Sequence, residues 1–152
     1  MAVHTKLTKQ EISDFLKNYT IGTLISYTEI IEGIDNSNFI IETDQGKLIL
    51  TIFESRLKKD ELPFFIDLKL HLATRGISCP KPIEDKNNKI ICEIKNKAAI
   101  IVTFLDGKSL KPKEDGYYYN ITSAHCAEIG KNLALLHKSA SDFKFNRQND
   151  LG

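Results

Sequence analysis

Residues 21–53 hold three β-type segments separated by turns too short for any crossover, and that stretch restricts the fold more than any other. Thr, Ile, Tyr and Phe are dense from Ile21 onward, and turn residues arrive at short intervals. The pattern predicts strands over residues 23–33, 38–43 and 47–53, with a turn at Asp35-Asn36-Ser37 and a tight one at Asp44-Gln45-Gly46. Glycine supplies the positive φ that a hairpin turn of this kind needs. Consecutive strands joined this closely must run antiparallel. The third segment, Leu48-Ile49-Leu50-Thr51-Ile52-Phe53, is apolar on both alternating sets and reads as a central strand.

Helical periods flank this unit. Thr8-Lys9-Gln10-Glu11 is a capping box, worth about 1 kcal/mol at a helix start, and Ile12, Phe15, Leu16 and Tyr19 follow at helical spacing. That helix is expected to end near Asn18 and to do nothing but pack. Leu62, Phe65, Leu68 and Leu72 mark a second helix over residues 60–75, with Asp60 as its cap, Pro63 in its first turn and Gly76 as its stop. Cys79-Pro80-Lys81-Pro82 must then be extended, because each proline restricts its predecessor. Two more strands are expected at 89–94 and 98–104, joined by Lys95-Asn96-Lys97. Residues 108–120 are polar, carry Pro112 and Gly116, end in Tyr117-Tyr118-Tyr119 and read as a linker. Thr122 or Ser123 caps a last helix striped with Cys126, Ile129, Leu133 and Leu136, with His137 near its end. Strands and helices do not alternate regularly, so the class is α+β: a five-stranded antiparallel sheet with one helix packed on it.

Composition excludes several functions. With 21 Lys and Arg against 20 Asp and Glu, the net charge of +1 argues against a nucleic-acid binder or a polybasic membrane anchor. No apolar run approaches the ~20 residues that span a bilayer, and Met1-Ala2-Val3-His4-Thr5-Lys6 has no signal-peptide character. Cys79, Cys92 and Cys126 are odd in number and widely spaced, as in a reduced, cytoplasmic protein. Neither they nor His4, His71, His125 and His137 have the spacing of a metal site, and no nucleophile–base motif is present.

The most informative segment is Glu32-Gly33-Ile34-Asp35-Asn36-Ser37-Asn38-Phe39. A turn of Gly, Asn and Ser between strands can offer backbone N–H groups and small side-chain donors to phosphate oxygens. Taken alone, most turns of this composition are only turns. In its setting it carries more: the turn, Leu48-Ile49-Leu50-Thr51-Ile52-Phe53-Glu54, Leu62-Pro63-Phe64-Phe65, Gly76-Ile77-Ser78-Cys79-Pro80-Lys81-Pro82, residues 99–107, Gly130-Lys131-Asn132-Leu133-Ala134-Leu135-Leu136-His137 and the tail Arg147-Gln148-Asn149-Asp150-Leu151-Gly152 occur in one order. That ordered set resembles homoserine kinases of the aminoglycoside- and choline-kinase-like fold, over essentially the whole chain.

The resemblance implies a protein-kinase-like N-terminal lobe over residues 1–107, a linker at 108–121 and, over 122–152, the start of an incomplete C-terminal lobe. It implies that Gly33, Asp35, Asn36, Ser37 and Asn38 cover the phosphates of ATP, with Thr51 beside them. Thr103, Phe104 and Leu105 become the hinge that meets the adenine edge, and Ile25, Ile31 and Leu50 candidates for packing on the base. Thr51 stands where such folds usually place a phosphate-binding Lys, and Phe65 where they place its Glu partner; Lys47 and Arg56 are the nearest substitutes. Family members run about twice as long, and the segment carrying the catalytic base and the Mg²⁺ ligands has no counterpart here. The chain is therefore expected to hold the ATP-binding portion of an enzyme that phosphorylates L-homoserine on the way to threonine, with no catalytic or metal-binding residue of its own. The alternatives are a non-catalytic or vestigial nucleotide-binding module, or a kinase of choline, a sugar or an aminoglycoside.

Overall fold

The computed structural model describes residues 4–31, 34–54, 59–107 and 121–145. Its elements are α1 (Lys9–Leu16), β1 (Leu24–Ile30), β2 (Asn36–Thr43), β3 (Gly46–Phe53), a single 3₁₀ turn (Lys59–Glu61), α2 (Leu62–Thr74), β4 (Pro82–Ile83), β5 (Cys92–Ile94), β6 (Lys97–Thr103) and α3 (Ser123–Ala140). The class is α+β, as expected. Every strand pair is antiparallel, in the order β1-β2-β3-β6-β4, with β5 also paired to β6.

The sheet has six strands, not five. The extended Pro-containing stretch is long enough for Pro82 and Ile83 to pair with Val102 and Ile101. β4 and β5 thus share the outer edge of β6, one beside its end and the other beside its start, where Cys92 pairs with Ala99. The short β5 follows from backbone geometry: Lys95 and Asn96 both take left-handed φ (50° and 61°), a two-residue turn that brings Ile94 directly opposite Lys97. β3 is central, as its continuous apolar run requires, between β2 and β6.

In an antiparallel ladder, directly opposed residues share a face. One face carries Phe39 and Ile41 of β2, Leu50 and Ile52 of β3, and Ala99 and Ile101 of β6, all fully buried. α1 lies over it with Ile12, Phe15 and Leu16, and Leu7, Tyr19 and Leu24 complete this main core. The Thr8 capping box forms: Glu11 N–H donates to Thr8 Oγ1 at 3.2 Å, and Thr8 N–H to Glu11 Oε2 at 2.7 Å. α1 is shorter than its apolar spacing predicts, because the chain unwinds after Leu16 so that Tyr19 can turn into the core.

α2 covers only part of the opposite face, where Ile66 packs with Ile100 and Val102 against Ile49, Phe53 and Leu70. Helices thus pack on both faces, α1 broadly and α2 at one side. Asp60 does not cap α2: it sits in the 3₁₀ turn, and Glu61 occupies the cap position without a side-chain capping bond. The buried stripe is Leu62, Ile66 and Leu72 rather than Leu62, Phe65, Leu68 and Leu72.

α3 starts at Thr122, whose hydroxyl accepts from His125 N–H. The end of α3 and the segment after it clasp α2. His71 Nε2 lies 2.9 Å from the Ser139 carbonyl, Arg75 pairs with Asp142, and Phe64 meets Phe143 and Phe145 at ring separations of 5.8 and 5.3 Å. The rest of α3 is bare, with Ile129, Leu133 and Leu136 exposed by 64%, 51% and 38%. The linker expected at 108–120 lies outside the described residues. No described helix is long and apolar enough to cross a membrane.

Candidate functional site

The part of the sheet that α2 leaves uncovered is a shallow polar face. It presents Ser26 and Thr28 from β1, Asn38, Ile40 and Glu42 from β2, and Lys47 and Thr51 from β3, with the half-buried Ile49 at its border with the α2 cluster. At its centre Asn38 and Thr51 are direct cross-strand partners, and Thr51 Oγ1 donates to Asn38 Oδ1 at 2.8 Å. Asn38 Nδ2 reaches the Asn36 carbonyl at 3.3 Å, and Asn36 Oδ1 accepts from Glu54 N–H at 3.4 Å. Three of the sequence candidates, Asn36, Asn38 and Thr51, are therefore brought together by the β2–β3 register alone. Asp35 is exposed just ahead of them, and Gly33 lies outside the described residues. Lys47 is on the same face, opposite Glu42; Arg56 lies outside the described residues.

Ser37 is placed differently. Strand alternation turns it away from Asn38 onto the α1 face, where it is fully buried. Its hydroxyl accepts from the His4 and Thr5 N–H groups, each at 2.9 Å, and donates to Glu54 Oε1 at 2.6 Å. Thr5 Oγ1 donates to the same carboxylate oxygen at 2.7 Å and accepts from Lys97 Nζ at 2.8 Å. Lys97 Nζ also pairs with Glu54 Oε2. Burial pushes the Glu54 carboxyl up, but the Lys97 ammonium and the Ser37 and Thr5 hydroxyls outweigh it and hold the group down at about 2. Sequence reasoning missed this cluster because its members are scattered over more than ninety residues, and no local spacing marks them.

Thr103 pairs with Leu48 as the last rung of the β3–β6 ladder. Its N–H donates to the Lys81 carbonyl at 2.9 Å, and its hydroxyl accepts from Lys81 N–H at 3.0 Å, so this end of β6 is tied to the chain leading into β4. Phe104 and Leu105 follow beyond the ladder, with Leu105 exposed. Among the packing candidates, Ile25 and Ile31 are exposed, by 54% and 73%. Leu50 is a correction. It is fully buried under α1, and a one-residue offset gives the open face Ile49 and Thr51 instead. Phe65 lies on α2, half-buried, and packs on Phe64 at 5.2 Å. Among the described residues, no group of three or more His, Cys, Asp or Glu side chains is placed to hold a metal ion.

The antiparallel sheet thus carries α2 on part of one face and amide and hydroxyl groups on the remainder. Residues 26–151 match the phosphotransferase enzyme family APH, and the chain belongs to that family. It is 44% identical over 151 residues to the homoserine kinase of Xanthobacter autotrophicus and, over the same length, 44% identical to that of Bartonella henselae. Each alignment covers 99% of this chain but only 44% and 45% of the relative, so the chain spans under half the length of the curated relatives it matches. Among solved structures, spectinomycin phosphotransferase in complex with ADP and spectinomycin superposes with a TM-score of 0.67 at 14% identity, over 89% of this chain and 39% of that one. An aminoglycoside phosphotransferase from Alicyclobacillus acidocaldarius superposes with a TM-score of 0.68 at 11% identity, over 97% of this chain and 40% of that one. These likenesses show the kinase-like fold.

Proposed function

We propose that the chain is the ATP-binding lobe of a homoserine kinase, which transfers the γ-phosphoryl of ATP to the hydroxyl of L-homoserine and releases ADP and O-phospho-L-homoserine. The observation that carries this reading is the 44% identity to homoserine kinases across all but one residue of the chain. The open sheet face supports it. Residues 1–107 form the nucleotide-binding lobe, 108–121 link it onward, and 122–152 begin the lobe that supplies the chemistry.

In this reading Asn36, Asn38, Thr51 and the turn from Gly33 through Asp35 meet the phosphates. The peptide groups of Phe104 and Leu105, free of the ladder, meet the adenine edge, and Ile40 and Ile49 give the base an apolar seat. Ser37 contributes by holding the turn from behind. Charge-neutral amide and hydroxyl donors fit phosphate oxygens but leave their charge unbalanced. That balance would fall to Mg²⁺, which would neutralise phosphate charge when bound; its carboxylate ligands, and the base that would take the homoserine proton, would come from the longer protein. Lys47 is the described cation on the open face that lies nearest in register to Thr51.

A chain extended past Gly152 to the length of its relatives is expected to phosphorylate L-homoserine. Phosphorylation of choline, a sugar or an aminoglycoside with homoserine ignored overturns the acceptor assignment. Residues 1–152 alone are expected to bind ATP in a calorimeter without turning it over. Turnover by that piece overturns the division of labour between the lobes.

A further inference from the structure

The chain ahead of α1 does more than lead into the fold. Residues 4–7 run as a strap across the ends of three strands, and every residue of it is tethered. His4 Nε2 lies 3.2 Å from the Ile34 carbonyl, and the His4 and Thr5 N–H groups both donate to Ser37 Oγ. Lys95 Nζ donates to the Lys6 carbonyl at 2.8 Å, and Tyr27 Oη to the Leu7 carbonyl at 3.0 Å. Thr5 Oγ1, Ser37 Oγ and Lys97 Nζ converge on the Glu54 carboxylate. The strap thus grips the turn at Ile34 and at Ser37, while Glu54 N–H holds Asn36 Oδ1 from the far side.

The pattern has a directional logic. Asn36 and Asn38 point to the open face and Ser37 to the buried one, so the grip on Ser37 falls on the side of the turn away from the space a ligand occupies. A hydroxyl that accepts two N–H groups and donates to a carboxylate is fully engaged and has no capacity left for a phosphate oxygen. Its role is to fix the backbone between two residues that do have such capacity. A turn fixed before binding loses less conformational freedom when a ligand arrives.

We infer that the strap of residues 4–7, together with Ser37, Glu54 and Lys97, is a positioning device that presets the turn at residues 34–38 for the phosphate end of a nucleotide. The inference rests on the nucleotide reading above and adds to it residues that touch no ligand. It makes a specific demand: disturbing the device weakens recognition of phosphates and leaves recognition of the base alone.

The test compares ATP and adenosine binding by calorimetry for residues 1–152 and two variants, Ser37→Ala and Glu54→Gln. The second variant keeps the shape and an acceptor oxygen, which guards against a Ser37→Ala chain that fails to fold. The expected result is an ATP affinity about tenfold weaker in each variant, the scale of one lost charge-assisted hydrogen bond, with adenosine affinity within about twofold of wild type. Amide exchange gives a reading independent of ligand: the N–H groups of residues 36–38 are expected to exchange faster in the variants by a factor at least about tenfold larger than the acceleration at Ile41 and Leu50, which reports the loss of global stability alone. Equal losses for ATP and adenosine, or unchanged ATP binding, overturn the positioning role while leaving the nucleotide reading standing. A wild-type chain that binds neither molecule overturns the nucleotide reading itself, and the inference with it.

Discussion

The Glu54 carboxylate gives the sharpest quantitative expectation. Its side chain is 10% exposed and its partner Lys97 40% exposed. Three hydrogen-bond donors hold its carboxyl at about 2, against an ordinary value of 4.5. A depression of that size corresponds to about 3 kcal/mol of stabilisation, and screening at the half-open Lys97 leaves about 2 kcal/mol. The sign follows from linkage. The folded value lies below the unfolded one, so the stabilisation is fully present above pH 4.5 and is lost as the pH falls from 4.5 through 2. Glu54→Gln removes the charge with little change of shape. In urea unfolding at pH 7 the variant is expected to be about 2 kcal/mol less stable than wild type, with an unchanged dependence on urea concentration. Repeated at pH 2.5, the gap is expected to shrink below about 1 kcal/mol, because the wild-type carboxyl is then largely protonated in the unfolded chain and partly so in the folded one. A gap of the same size at both pH values, or none at pH 7, refutes the reasoning that ionisation of Glu54 stabilises the fold.

Three further outcomes follow from the geometry. Leu50→Ala, on the fully buried α1 face, is expected to cost about 3 kcal/mol in denaturant unfolding, whereas Thr51→Ala next to it costs no more than about 1 kcal/mol and weakens ATP binding; the reverse order would put the faces the wrong way round. Gly22 sits at φ +86° with Asp44 Oδ1 1.9 Å from where a Cβ would stand, and that oxygen accepts from Thr23 N–H at 2.9 Å. Gly22→Ala is therefore expected to lose about 2 kcal/mol through backbone strain and a broken tie, read as a lowered thermal midpoint. The exposed stripe of α3 is expected to make residues 1–152 self-associate in sedimentation, and an Ile129→Ser, Leu133→Ser double variant to restore a monomer.

The sequence was most legible where the signal is local. The Thr8 box, the Gly46 turn and the Lys95-Asn96 turn each specify their own geometry within four residues, and all three form. The central position of β3 was readable because its residues are apolar on both alternating sets from Leu48 to Phe53, Thr51 excepted. Its register was only faintly marked: with apolar residues on both faces, Lys47 and Thr51 alone set the Ile49 side apart from the Leu50 side that meets α1. β4 was unreadable because a two-residue strand that begins on Pro82 carries no period, and only Val102 and Ile101 across the gap make it a strand. Within the candidate site, Asn38 and Thr51 could be nominated from the sequence, but Ser37 could not be assigned to the buried side until Thr5, Glu54 and Lys97 were in place around it.

The strap has a consequence for how the chain acquires its shape. Thr5 is synthesised ninety-two positions before its hydroxyl partner Lys97. Until the β5–β6 hairpin has been synthesised, Glu54 lacks the Lys97 cation, and residues 4–7 are held by their ties to Tyr27, Ile34, Ser37 and Glu54. The last contacts to be made are thus the ones that cinch the strap, and a nascent chain stalled before β6 would hold residues 4–7 more loosely.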